Sequence, residues 1–236
     1  VHKVADVADV DSWAHLDGVK AVWVNSPCNP TGQVIDAAGM RCIVDAARKI
    51  GAVVLSDECY ALMAWNDAND APENREASIE SSPCALRADV CGGDAYGVLV
   101  LYSLSKQSNM AGYRTACIAG DHTLVRAMTE LRKQIGLIVP GPVQAAMAAG
   151  LRDMAAVREQ HNRYYSRLST LVEALRAYGY DAHMPQGALY IWVRTLGDDC
   201  WQDMGRLADL GIVPSPGEFY GAPQYLRFSA TASDAQ

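Results

Sequence analysis

Short apolar runs alternating with longer amphipathic stretches constrain this chain more than any other feature. "VKAVWV" (19–24), "AVVLSD" (52–57), "GVLVLYS" (97–103) and "TACIAG" (115–120) have strand length and are mostly apolar, the first three rich in valine or leucine. The first two are separated by "DAAGMRCIVDAARKIG" (36–51), which sets Met40, Ile43, Val44 and Ala47 on one helical face and stops at Gly51. Strands joined through helices need crossovers, and crossovers build parallel sheets. The expected class is α/β with a mainly parallel sheet and buried strands.

Beyond Gly120 the pattern changes. "DHTLVRAMTELRKQIG" (121–136) and "GPVQAAMAAGLRDM" (141–154) read as helices, the second with Pro142 in its first turn. A long amphipathic helix is expected over 155–179, then strands "ALYIWV" (188–193) and "QYLRFSA" (224–230) around a helix at "DMGRLADLG" (203–211). This organisation predicts a large domain over residues 1–165 and a small α+β domain over 166–236. The polar stretch 66–82 reads as a surface loop. The chain opens without methionine and ends with Ser233 as a helix cap lacking a helix body, so an internal piece of a longer protein is expected.

Composition narrows the function classes. The net charge of −7, without a Lys/Arg-rich run, offers no electrostatic footprint for nucleic acid. Seven scattered cysteines without a C-x-x-C pair point away from zinc and disulfides, and towards the cytoplasm. No apolar run approaches the roughly 18 residues of a membrane span. The five histidines show neither metal-ligand spacing nor a triad.

Three strands end in polar groups. The first delivers Asn25 and Asn29 in "NSPCNPTG", the second Asp57 and Tyr60 in "SDECY", the third Ser103, Ser105 and Lys106 in "YSLSKQSNMAGYR". Singly, these read as turn chemistry, an acidic helix cap and a solvated lysine. Ligands of open parallel sheets sit beyond the strands' carboxyl ends, so parallel strands would gather these groups on one edge. Together they form the set that pyridoxal phosphate chemistry requires. Lys106 supplies the Schiff-base amine. Ser103, Ser105 and Arg114 form an anion cradle for the phosphate. Asp57 is the carboxylate facing the pyridine nitrogen, and Tyr60 and Asn29 donate to the phenolic oxygen. A helical turn would place Asp57 and Tyr60 on one face.

The ordered Asn-Pro-x-Gly, Asp-x-x-Tyr and Ser-x-Ser-Lys, with Arg114 eight residues after Lys106, resembles the class I/II aminotransferases of pyridoxal-phosphate fold type I. The resemblance spans essentially the whole chain. "SDECYALMAW", "VPGPVQAAM", "GALYIW" and "PSPGEFYG" most resemble the succinyldiaminopimelate transaminases. It implies a homodimeric enzyme acting on small amino-acid and 2-oxo-acid substrates: N-succinyl-LL-2,6-diaminopimelate with 2-oxoglutarate and glutamate. Lys106 then matches the catalytic lysine, Asn29, Asp57, Tyr60, Ser103, Ser105 and Arg114 the other cofactor ligands, and Arg227 the clamp for the substrate α-carboxylate. Family members carry an amino-terminal part, on the order of a hundred residues, with a Gly-rich phosphate loop and a ring-stacking aromatic; the resemblance implies that this sequence starts after that part. Aspartate or another amino acid as substrate, a β-lyase, a regulator with an aminotransferase-like domain, and an inactive fragment are the rival readings. Tyr190 and Trp192 read as core rather than substrate contacts, Cys59 as a packing residue, and "GEFYG" (217–221) as a loop.

Overall fold

The computed structural model describes residues 1–4, 9–65 and 84–232. The expected loop at 66–82 and the expected cap Ser233 lie outside the described residues. The chain divides into two compact units: described residues within Val1–Ser26, Ile35–Ala61 and Ser81–Val157 form the first, and those within Pro27–Val34, Leu62–Glu80 and Arg158–Gln236 the second.

The first unit is built on a four-stranded sheet of order β1-β2-β3-β4, with β1 at Ala21–Asn25, β2 at Val53–Asp57, β3 at Val98–Tyr102 and β4 at Cys117–Gly120. β1, β2 and β3 run parallel, in a register that sets Asn25 beside Asp57 and Asp57 beside Leu101. Helix α1 (Ala37–Lys49) starts where the Asp36 carboxylate accepts the Gly39 N–H at 2.7 Å. Its buried face, Met40, Ile43, Val44, Ala46 and Ala47, joins Val22, Val24, Val54, Val98 and Val100 in one core. Each fully buried aliphatic side chain contributes roughly 1.5–3 kcal/mol, so this packing, rather than helix propensity, stabilises α1.

One expectation needs correction, and one strand stands apart from the mainly parallel sheet that was expected. β1 is not buried throughout: the core covers the face of Val22 and Val24, while Trp23 is 57% exposed. β4 is antiparallel to β3. Helix α2 (Ala88–Cys91) precedes β3, but only α3 (Leu104–Gln107) and a 3-10 turn at Ala111–Tyr113 separate β3 from β4. That is too little helix to return the chain to the sheet's starting edge, as a parallel crossover demands. At Gly120 (φ +134°) the backbones approach so closely that a Cβ would lie 2.0 Å from the Val98 carbonyl oxygen. Asp121 next accepts N–H groups from Thr123 (2.9 Å), Leu124 (3.3 Å) and Gly97 (2.9 Å), capping α4 (His122–Gln134) and tying it to the start of β3. Helices α5 (Gly141–Gly150, Pro142 in its first turn) and α6 (Met154–Tyr178) follow as expected.

The second unit holds an antiparallel sheet of order β5-β7-β6, with β5 at Tyr190–Arg194, β6 at Ser215–Pro216 and β7 at Tyr225–Ser229. Alternation buries Ile191, Val193, Leu226 and Phe228 on one face and sets Tyr190, Trp192, Tyr225 and Arg227 on the other. Helix α7 (Cys200–Ala208) starts earlier than 203, because Asp199 accepts the N–H groups of Trp201 (2.9 Å) and Gln202 (3.0 Å). The loop Pro27–Val34 belongs to this unit. Gly187 N–H donates to Gly32 O at 2.8 Å, and Val34 N–H to Gln186 Oε1 at 3.0 Å. Gly32 has φ +73°, and a Cβ there would lie 2.6 Å from Pro185 Cβ, so turn and contact both require glycine.

Candidate active site

Asp57 is the last residue of β2, where Asn25 Nδ2 donates to its carbonyl oxygen at 3.3 Å. Its carboxylate accepts Cys59 N–H at 3.3 Å. The expected helical turn after it is a single reverse turn, closed by Ala61 N–H on Glu58 O at 2.9 Å, which brings Tyr60 to a buried position. Glu58 turns into the interior. It accepts the Ser56 hydroxyl and the Ala85 N–H, each at 2.8 Å. Burial raises its pKa above the usual carboxylate range, against the opposing effect of those hydrogen bonds. Burial also pushes the Cys59 thiol up to about 12, with its hydrogen bond to Asp57 acting the same way, so this cysteine is an inert packing group.

Ser103 caps α3 by accepting Ser105 N–H at 3.1 Å. The two hydroxyls lie 2.7 Å apart, and Ser103 also donates to Thr115 O at 3.2 Å. One turn on, Lys106 Nζ lies 5.9 Å from the centre of the Tyr60 ring. Arg114 occupies a left-handed backbone position (φ +50°) and donates to Ala111 O at 2.9 Å. Ser103, Ser105 and Arg114 line one cavity of about 300 Å³. Arg132 of α4 lines it too, and sequence reading missed it because a basic residue in a helix's last turn carries no special signal. The first unit thus brings together an amine, a phenol and a carboxylate at neighbouring strand ends, and two hydroxyls with two guanidinium groups around one cavity. That donor set fits a phosphate dianion attached to a group that an amine can attack.

The second unit places Asn29 and Arg227 together. Arg227 Nη1 donates to Asn29 Oδ1 at 2.7 Å. The guanidinium carbon lies 4.2 Å from the Tyr190 ring centre and 5.2 Å from that of Tyr220. Trp192 stacks on Tyr225 at 5.1 Å and meets Tyr220 edge-on at 5.7 Å. Tyr190 and Trp192 share the face of Arg227; Tyr190 is buried, as the sequence reading had it, whereas Trp192 is only partly buried. Period-two alternation separates two faces but does not say which is packed. Among the described residues no group of three or more His, Cys, Asp or Glu side chains could hold a metal, and no helix is long and apolar enough to cross a membrane.

The family model "Aminotransferase class I and II" matches residues 5–236. A 4-dedimethylamino-4-oxo-anhydrotetracycline transaminase, OxyQ of Streptomyces rimosus, is 43% identical over 95% of this chain and 60% of its own length. An LL-diaminopimelate aminotransferase of Oleidesulfovibrio alaskensis is 30% identical over 97% of this chain and 56% of its own. The structure of Thermus thermophilus aspartate aminotransferase with maleate superposes with a TM-score of 0.75 at 25% identity, covering 92% of this chain and 53% of that one. The chain thus spans between half and two thirds of the length of these relatives. With the ordered motifs, the α/β fold and the family match in agreement, the chain belongs to the class I and II aminotransferases, a family that depends on pyridoxal phosphate.

Proposed function

We propose that the enzyme transfers an amino group between an α-amino acid and a 2-oxo acid, with Lys106 as its catalytic residue. The observation that carries this reading is the short helix α3, which holds the Ser103–Ser105 hydroxyl pair and Lys106 within one turn, beside Tyr60. Pyridoxal phosphate, when bound, supplies an electrophilic carbonyl carbon and a ring that withdraws electrons. Ser103, Ser105 and Arg114 hold its phosphate. The Asp57 carboxylate favours a proton on the ring nitrogen, and Tyr60 and Asn29 donate to the phenolic oxygen. Lys106 Nζ would take the proton from the substrate Cα and deliver it to the cofactor's former carbonyl carbon, on the other side of the shared nitrogen, which is general acid–base work. Arg227 offers a planar fork to the substrate α-carboxylate.

The substrate we favour is N-succinyl-LL-2,6-diaminopimelate, with 2-oxoglutarate as acceptor and glutamate as donor in the reverse direction. Support comes from the sequence resemblance and from a relative named for LL-diaminopimelate. That relative's name also motivates a second reading, in which the unsuccinylated substrate is used. Specificity constants for the two diaminopimelates, aspartate and an aromatic amino acid decide among these. Preference for aspartate or an aromatic removes both diaminopimelate readings and leaves the transaminase one. We further propose a homodimer. Leu131, Ile135, Leu137 and Ile138, each more than half exposed, give the first unit an apolar surface suited to a second copy. A monomeric sedimentation coefficient for the active enzyme would exclude it.

A further inference from the structure

Arg227 is held more tightly than a carboxylate clamp on a strand needs to be. It sits on the central strand β7, across from Trp192 on β5 and Ser215 on β6. Asn29 engages Nη1, while Nε is buried without a hydrogen-bond partner. A guanidinium free to choose would swing out to hydrate that N–H, since a buried donor without a partner is costly. The two tyrosine rings at 4.2 and 5.2 Å oppose that escape.

The placement of Tyr220 is itself built. It ends a 3-10 turn, Gly217–Tyr220, closed by Gly221 N–H on Glu218 O and by Ala222 N–H on Gly217 O, each at 3.0 Å. A Cβ at Gly217 would lie 2.2 Å from Ala222 O and 2.4 Å from Tyr225 O, so the turn is wound directly onto the entry to β7. The Tyr220 hydroxyl reaches Ser215 Oγ at 3.1 Å, and Trp192 meets its ring edge-on.

We infer that Tyr220 is a positioning residue for Arg227: its ring, together with that of Tyr190, fixes the guanidinium plane in which an α-carboxylate is received. The inference rests on the proposed role of Arg227 as carboxylate clamp. The ring carries the effect through its face; the hydroxyl serves only to seat it against Ser215.

The test uses the holoenzyme and two probes that differ only in the carboxylate, L-norleucine and pentylamine. Binding of each is read from the change in the cofactor's visible absorbance. The ratio of the two dissociation constants is taken on one preparation, so a general loss of folded enzyme cancels. Tyr220→Leu should lower the preference for norleucine about tenfold, and Tyr220→Phe should hold it within about twofold. Arg227→Lys is the control for the underlying reading, because a point charge cannot reproduce a bidentate contact. If Arg227→Lys leaves the preference intact, the clamp reading fails and Tyr220 falls with it. If Arg227→Lys abolishes the preference while Tyr220→Leu retains it, the clamp stands and the inference about Tyr220 is overturned. Loss of preference in Tyr220→Phe equal to that in Tyr220→Leu would assign the effect to the hydroxyl and overturn the role given to the ring.

Discussion

Lys106 has the Tyr60 ring as a neighbour and forms no ion pair among the described residues, which leaves its amine available for chemistry. Lys106→Ala is expected to abolish transamination in the intact enzyme, and near wild-type turnover would refute the assignment. Asp57→Asn keeps the size of the side chain but removes its charge; the rate of Cα deprotonation should fall on the order of a hundredfold with cofactor still bound. Two other acids give opposite pH signatures. The backbone N–H of Gly97, followed by those of Leu124 and Thr123, holds the Asp121 carboxyl below its usual range. Its stabilisation is complete above the unfolded pKa of about 4 and is lost as pH falls through the lower folded value. Thermal melts of Asp121→Asn should therefore lose the wild type's decline below about pH 4. Glu58 is raised by burial, so it costs nothing below about pH 4.3 and progressively more as pH rises towards its folded pKa. Glu58→Gln should gain on wild type over that rising interval; an equal offset at every pH would show that ionisation is not the cause.

At the scale of elements, the strongest sequence signals were those that burial itself writes. The spacing of Met40, Ile43, Val44 and Ala47 located α1 because a helix with one dry face must repeat near 3.6 residues. Ile43→Ala should destabilise the first unit by about 2–5 kcal/mol, measured by chemical denaturation. Direction was not legible in the same way. The apolar pattern of "TACIAG" marked a strand, but nothing in a run of side chains says whether it lies parallel to its neighbour; the shortness of α3 decided that. Gly120 records the outcome, and Gly120→Val should destabilise the β3–β4 pairing at least as much as Ile43→Ala. The residues after Asp57 carried an acidic signal that suits a helix cap, yet the buried Glu58 converts them to a turn. Asn29 and Arg227 were each legible from their motifs. Their contact was not, because 198 residues separate them and no local pattern reports a partner so distant.

The whole molecule is threaded so that a short early segment, Pro27–Val34, completes a unit otherwise drawn from later parts of the chain. Its anchors are Gln186 and Gly187, and Val34 and Gln186 are 152 residues apart. During synthesis at roughly 5–20 residues per second, the segment waits on the order of ten seconds before its anchors exist. Throughout that interval the backbone groups that those anchors engage, Gly32 O and Val34 N–H, must be satisfied by water or by a chaperone. Nascent chains halted before Pro185 should therefore be cut by protease between Pro27 and Val34, and chains extended past Ser229 should resist. Equal resistance in both would show that the turn is secured before the strands that hold it are made.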